Sequence, residues 1–451
     1  MTINQEPAAS LETALESHDV EAATAALREL TQSGELIDRM TRLTLVEARK
    51  LAEVLGDEAL GDLLGEMEPG DAATILSLLA AVDAADVLES MDPDEAADVV
   101  GEIAPNRADE ILFEMEPIEA EELRGLLLYP PDTAGGRMTP AFVSIAPDLT
   151  ARQTILALQR LAVQAETISY VYVTDSDDHL LGVLSLRLLV LSPPEKPISQ
   201  LLNPDVVTVP VLADQEEAAR ILTERGFLAV PVVDDENHVL GIITVDDVAD
   251  ILRQEATEDI ERLGGSEPLE EPYLRASPVL LWRKRVGWLL ALFLAEAYTG
   301  TVLRHYQSEV EAVVALSFFI PLLIGTGGNV GSQVVTTIVR AMAVGDVRFS
   351  DVFRIVRKEL LTGLMLGAVM AAATFVRAMT LRVGIDVGLT VAIAVSTIVV
   401  WAAVVGAVLP LVLRKLKVDP AVVSAPFIST LVDGTGLMIY FTVARIVLHL
   451  G

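Results

Sequence analysis

The chain has 451 residues, 52% of them hydrophobic, with a net charge of −33, no cysteine and five histidines. Disulfides and thiolate metal sites are therefore excluded, and a surface this acidic makes nucleic acid a poor partner and cations a good one. The mean hydropathy of +0.47 and the acidity belong to different halves: residues 1–272 carry 56 acids against 16 bases, a net −40, and residues 273–451 carry 9 acids against 16 bases, a net +7.

The N-terminal segment Met1–Asp19 is polar and lacks an apolar core, so no cleaved signal peptide is expected. A repeat of 24 residues follows: Met67-Glu68-Pro69, Met91-Asp92-Pro93 and Met115-Glu116-Pro117 are in register, as are Leu55, Leu79 and Ile103, and Leu64, Leu88 and Leu112. Each unit is long enough for two short helices, which predicts stacked helical hairpins in a small superhelix. Asp92-Pro93-Asp94-Glu95 has the form of an N-cap, a proline at the first helical position and a capping glutamate, which is the plain structural reading of those acids.

Residues Arg137–Arg253 hold two related modules. Val171–Leu186 matches Val230–Val245 at an offset of 59, aligning Asp175 with Asp234, His179 with His238 and Gly182 with Gly241. Upstream, Met138-Thr139-Pro140 matches Leu202-Asn203-Pro204 at an offset of 64. Each copy reads as strand, helix and buried hairpin with a polar turn, and the two histidines are expected as exposed loop residues in those turns.

A run of acids closes the second module: Asp246, Asp247, Asp250, Glu255, Glu258, Asp259 and Glu261. Facing Asp92, Asp94 and Glu95 of the repeat, they are candidates for divalent cations to bridge. Like charges would hold the domains apart, and bound divalent cations would draw them together. The plainer alternative is a solvated acidic face.

Five apolar stretches follow, at about Val286–Leu303, Ala312–Val339, Leu360–Leu381, Val387–Leu413 and Ala421–Leu448, each long enough to span about 30 Å of hydrocarbon. One set of loops holds 12 basic residues (Arg275, Arg283, Lys284, Arg285, Arg340, Arg348, Arg354, Arg357, Lys358, Arg414, Lys415 and Lys417), and the other holds 4 (Arg304, Arg377, Arg382 and Arg445). The positive-inside rule puts the richer side and the acidic half in the cytoplasm, with the C-terminus outside. The second stretch contains Pro321, four glycines between Gly325 and Gly331, Asn329, Ser332 and Gln333. It reads either as a pore-lining or broken helix offering oxygen atoms, or as close packing through small residues. The fifth contains Asp433-Gly434-Thr435-Gly436. A carboxylate at this depth is expensive and marks a cation path, unless a buried base pairs with it. Glu296 in the first stretch is a second intramembrane acid, close enough to a helix end to be interfacial.

A hard divalent cation is held by carboxylates and other oxygen atoms. One Asp433 is too little, but two chains about a two-fold axis would supply a pair. Oxygen atoms from Gly325, Thr326, Asn329 and Ser332 would complete a cradle for a hydrated cation.

The paired modules resemble CBS domains. The order of helical repeat, CBS pair and five spans, with Pro321–Gln333, Asp433–Gly436 and Gly241–Asp247 running into Glu255–Asp259, resembles the MgtE family of magnesium channels. The resemblance implies a multidomain fold: an all-α helical-repeat superhelix at 1–132, an α/β CBS pair at 133–200 and 201–255, a linker helix of the plug type at 256–280 that lies under the pore, and a five-helix transmembrane domain at 281–451. It implies a homodimer in the cell membrane whose Asp433 is the principal selectivity residue. It also implies a Mg²⁺-selective, Mg²⁺-gated channel for magnesium uptake and homeostasis. CBS pairs often take adenine nucleotides, which makes ATP a ligand expected at Tyr170 and Arg187, although Leu188 stands where such sites commonly have an acid. Relatives commonly carry asparagine at Ser332 and Ala425, so any oxygen from Ala425 must be its carbonyl. Rival readings are a broader carrier of Co²⁺, Mn²⁺ or Ni²⁺, which the lack of soft ligands disfavours, and a membrane-tethered nucleotide sensor. No nucleophile–base constellation points to an enzyme.

Overall fold

The computed structural model describes residues 11, 13, 14, 17, 19–33, 45–65, 67–161, 165–269, 273, 274 and 276–450. Arg275 and most of Met1–Asp19 lie outside them. The chain divides into two units, Met1–Arg253 and Gln254–Gly451.

In the first unit, the 24-residue period becomes two helices per repeat. After α1 (Val20–Ser33) and α2 (Leu45–Leu55) come α3 (Asp57–Gly65), α4 (Pro69–Leu78), α5 (Ala81–Glu89), α6 (Pro93–Glu102), α7 (Pro105–Glu114) and α8 (Pro117–Leu126). Helices one repeat apart stack: α4 on α6 on α8, α3 on α5 and α5 on α7. The registered Leu64, Leu88 and Leu112, Leu55, Leu79 and Ile103, and Met67, Met91 and Met115 are all buried in this core. Proline sets the first turn of α4, α6, α7 and α8, where its fixed φ suits the helix and its missing N–H costs nothing. The capping role expected of Asp92 and Glu95 is not formed: Asp92 sits at the N-cap position without a side-chain cap bond. Proline alone starts the helix, leaving both carboxylates free to face elsewhere.

Each CBS module contributes a three-stranded sheet. The first has β1 (Ser144–Ile145), α9 (Ala151–Leu161), β2 (Tyr170–Thr174), β3 (Leu180–Ser185) and α10 (Leu186–Leu191); the second has β4 (Val209–Pro210), α11 (Gln215–Arg225), β5 (Ala229–Val233), β6 (Val239–Thr244) and α12 (Asp247–Leu263). In both, the first strand runs parallel to the second and the hairpin is antiparallel. The upstream segments pair crosswise, each with the hairpin of the other module. Thr139 exchanges both backbone hydrogen bonds with Ile242 of β6 at 2.9 Å, and Asn203 does the same with Val183 of β3 at 2.8 and 3.0 Å. A Cβ on Gly241 would lie 2.8 Å from the Thr139 carbonyl oxygen, and one on Gly182 would lie 2.8 Å from that of Asn203, so only glycine fits under each crossing segment.

His179 and His238 lie in the polar turns as expected and remain partly exposed, but they are not isolated there: their rings stack with centroids 4.3 Å apart. Each sets Nδ1 on the aspartate four residues earlier, Asp175 at 3.2 Å and Asp234 at 2.8 Å.

The helix after the second module differs from the linker expected at 256–280. It already begins at Asp247 and stops at Leu263, where Gly265 adopts a left-handed φ of 78° and 264–269 leave the helix.

In the second unit five helices are long and apolar enough to cross a membrane: Pro278–His305, Val314–Ala343, Phe349–Thr380, Ile385–Lys415 and Ala425–Leu448. We label α13 (Pro278–His305), α14 (Gln307–Ala312), α15 (Ile320–Ala343), α16 (Val352–Thr380), α17 (Ile385–Lys415) and α18 (Ala425–Leu448). Helix α17 is central and packs against α15, α16 and α18. The broken-helix reading of the second span is corrected: α15 is continuous, with Pro321 confined to its first turn. Its glycines are not weak points because neighbours fill the space. A Cβ on Gly331 would stand 2.4 Å from Ile428 Cγ2, and one on Gly327 would stand 2.7 Å from Val432 Cγ1 and from Ile398 Cγ2.

Candidate ion path and cytosolic cation sites

Helices α15 and α18 run antiparallel at close range. Gly327 approaches Val432, Gly328 approaches Ser429 and Gly331 approaches Ile428, and the Ser332 hydroxyl donates to the Ala425 carbonyl at 3.3 Å. One further step along this sequence of contacts sets Gly325 and Thr326 level with Asp433. The expected oxygen cradle is therefore a ladder rather than a ring. Asp433, Gly325 and Thr326 share one level, Asn329 stands a turn away, and Ser332 with Ala425 lies about 10 Å from the first level at 1.5 Å per residue.

The glycine-rich helix has two faces. Gly327, Gly328 and Gly331 are buried against α17 and α18, whereas Gly325, Asn329, Gln333 and Thr336 are exposed on the opposite side. The packing reading holds on one face, where neighbours fill the space beside the glycines, and the other face leaves polar residues open. The Thr326 hydroxyl donates to Leu322 O at 2.7 Å, leaving its lone pairs available. Thr435 accepts from Trp401 Nε1 at 3.0 Å and donates to Leu431 O at 2.8 Å, which fixes the turn beside Asp433.

Asp433 itself is half-buried, and among the described residues no base is paired with it. The basic residue on its own helix, Arg445, is held instead by Glu309 of α14 and lies over the Tyr306 ring. The structural ion pair weighed against the pore reading is thus absent among the described residues.

In the first unit, Asp92, Asp94 and Glu95 of α6 meet Asp246 and Asp247 at the head of α12. Asp92 faces Asp62 and Asp246, and Asp94 faces Asp247. Burial, then the facing Asp247, pushes the Asp94 carboxyl up to about 8, and its Oδ1 is buried with no hydrogen-bond partner. Burial and Asp92 raise Glu95 to about 7. Asp247 is raised by burial although Thr244 donates to it through its backbone N at 2.9 Å and its hydroxyl at 2.8 Å. Arg137 pairs with Asp98 at 2.8 Å and donates to Gln215 at 2.8 Å.

Three members of this cluster were not singled out from sequence. Asp98 was legible, one turn beyond Asp94 on the same helix face. Asp62 comes from the preceding repeat and Glu166 from the loop before β2, where no local pattern marks them. Burial, Asp92 and Asp246 raise Glu166 to about 7.

Other expected members are not gathered here. Asp250 is exposed and pairs with Arg253 at 2.8 Å. Glu255 is half-buried on α12, eight residues past Asp247. In the second unit, Arg262 joins Glu258 to Asp419 in the loop before α18. Asp259 is raised by burial and by the same Asp419. Tyr170 and Arg187 stand together at one end of the first CBS module. Tyr170 opposes Ser185 across the hairpin, and Ser185 caps α10, whose second residue is Arg187.

The family model for divalent cation transporters, MgtE, matches residues 320–443; the MgtE intracellular N domain matches 31–132, and CBS domains match 134–191 and 198–254. The chain is 42% identical over 335 residues to the magnesium transporter MgtE of Thermus thermophilus, covering 73% of each. It is 38% identical over 323 residues to that of Enterococcus faecalis, covering 72% of this chain and 71% of the relative. Among solved structures, the cytosolic domain of the Mg²⁺ channel MgtE in complex with ATP aligns at 33% identity with a TM-score of 0.48, over 54% of this chain and 99% of that one.

Proposed function

This chain belongs to the MgtE family of divalent cation transporters, and from that premise we propose that it is a homodimeric Mg²⁺ channel closed by cytoplasmic Mg²⁺. The observation that carries the reading is Asp433: a carboxylate inside a membrane-spanning helix, without a paired base among the described residues, on the helix that packs against α15, whose other face leaves a row of polar positions exposed. Polar groups and a carboxylate open to hydrocarbon would cost several kcal/mol, so water or a second chain has to cover them. A two-fold mate covers that face and supplies a second Asp433. Two carboxylates hold a hydrated Mg²⁺, and the oxygens of Gly325, Thr326, Asn329, Ser332 and Ala425 receive its water along the path.

Gating rests on the acidic cluster. With no cation, Asp92, Asp94, Glu95, Asp246 and Asp247 repel, and burial raises Asp94 to about 8 and Glu95 to about 7, so those two keep part of their protons. Mg²⁺ entering between them removes the repulsion and favours the docked state, which is differential binding to one of two states. Asp250, Glu255, Glu258 and Asp259 continue the acidic run along α12, and Arg262 ties the end of that helix to Asp419. The excess of basic residues in one set of loops supports a cytoplasmic acidic half and an outside C-terminus. Tyr170 and Arg187 form the candidate contacts for the ATP adenosine.

Flux of Mg²⁺ into proteoliposomes, compared for the full-length chain and Asp433→Ala at low and high Mg²⁺ on the cytoplasmic face, tests the proposal. Selective flux should vanish in the variant and fall at high Mg²⁺ in the native chain. A folded Asp433→Ala channel with normal flux and selectivity would end the pore reading.

A further inference from the structure

Helices α13 and α18 run parallel and in register. Trp288 Nε1 donates to Ser424 Oγ at 3.1 Å, and near the other end Glu309, just beyond α13, holds Arg445; both contacts span 136 positions. Between them, Tyr298 donates to Met438 Sδ at 2.8 Å. Carrying the 136 offset to Glu296 sets it level with Val432 and Asp433. It stands nine residues, about 14 Å, from the end of α13. Among the described residues it has no paired base.

A second, independent observation points to a ligand at this level. Thr299 follows Glu296 by one turn on the same face. It is 9% exposed, and its hydroxyl is buried with no hydrogen-bond partner. That hydroxyl is directed at α18: it would lie 3.2 Å from a Cβ built on Gly434, the residue after Asp433. A buried hydroxyl without a partner is costly, and a bound water satisfies it only where a water is held. Hydrated Mg²⁺ at Asp433 brings such waters.

We infer that Glu296 and Thr299 form an outer-sphere wall of the Asp433 cation site, accepting hydrogen bonds from the water shell of the ion and setting its preference for divalent over monovalent cations. The inference rests on the pore reading of Asp433. It raises the carboxylates at the site from one to two per chain. Neither side chain need touch the metal: a carboxylate aimed at coordinated water fixes the water and adds field, and such outer partners are worth 10- to 100-fold in metal affinity.

The test measures Mg²⁺ flux against concentration, with Na⁺ flux as the selectivity readout, for full-length protein in proteoliposomes: native, Glu296→Gln, Glu296→Asp, Thr299→Val and Asp433→Ala. Glu296→Gln should raise the half-saturating Mg²⁺ about 10- to 100-fold and admit Na⁺. Glu296→Asp, which keeps the charge, should fall between it and the native chain, and Thr299→Val should shift half-saturation less. Unchanged half-saturation and selectivity in a folded Glu296→Gln, with Asp433→Ala inactive, overturns this inference and leaves the pore reading standing. A loss of maximal rate alone in both Glu296 variants also overturns it, because that marks a packing role. Normal flux in Asp433→Ala overturns the pore reading on which it rests.

Discussion

Asp94, in the first turn of α6, faces Asp247 at the start of α12, and each carboxyl is raised above the ordinary aspartate range by burial and a neighbouring carboxylate. Two buried acids aimed at one another are a poor way to hold domains together and a good way to make their docking depend on a cation or a proton.

The first prediction concerns pH. Asp94 titrates at about 8 when folded, and Glu95 and Glu166 at about 7, against ordinary values of 3.8 for Asp and 4.5 for Glu. A folded value raised above the unfolded one gives stability that is full below the unfolded pKa and is lost as pH rises through the folded pKa. The metal-free docked state should therefore weaken as pH rises from about 4 to 8. Mg²⁺ has to displace the remaining protons, so its affinity should rise from pH 6 to pH 8. Calorimetry of the full-length protein in buffers of different ionisation enthalpy should detect proton release at pH 7. Binding without proton release and without pH dependence would contradict the cluster as described.

Asp94→Asn tests the same site by charge. Removing one of two facing acids relieves repulsion in the metal-free state and deletes a cation ligand. The variant should resist protease in the absence of Mg²⁺ better than the native chain and should gain little further protection between residues 262 and 278 on adding millimolar Mg²⁺. Native-like, fully Mg²⁺-dependent protection would remove Asp94 from the bridge.

In the membrane domain, Gly331→Ala should cost about 1–3 kcal/mol through overpacking, because the new methyl would meet Ile428 at 2.4 Å. Gly300→Ala, on the first span with nothing within 4 Å of the added carbon, serves as the comparison. Thermal unfolding in detergent should show a lower midpoint for the first variant only.

Gly241→Ala should destabilise the CBS pair by a similar 1–3 kcal/mol, because the added carbon would press at 2.8 Å on the Thr139 carbonyl, a backbone group in a crossing strand that cannot rotate away. The His179–His238 stack reports on the same crossing, so its imidazole NMR resonances should shift with it. A variant of native stability and unaltered resonances would contradict the crosswise pairing.

The period of 24, the paired modules at an offset of 59 and the five apolar runs each determined an element, because repeat length, alternation and span length are local properties of the chain. Asp433 was conspicuous for a local reason too: a carboxylate is costly within hydrocarbon. Contact between distant segments was decided by tertiary structure alone. Proline, not a capping bond, starts α6, which frees Asp92 and Glu95 for the cluster. Thr139 crosses to Ile242 of the other module. Glu166, in a loop, joined the cluster without any pattern to mark it. The glycines of α15 divided between packing and an open face once α17 and α18 were set against them. Glu296 reached the level of Asp433 because two parallel helices pack in register. Composition states what a charge costs; only packing states which other charge stands beside it.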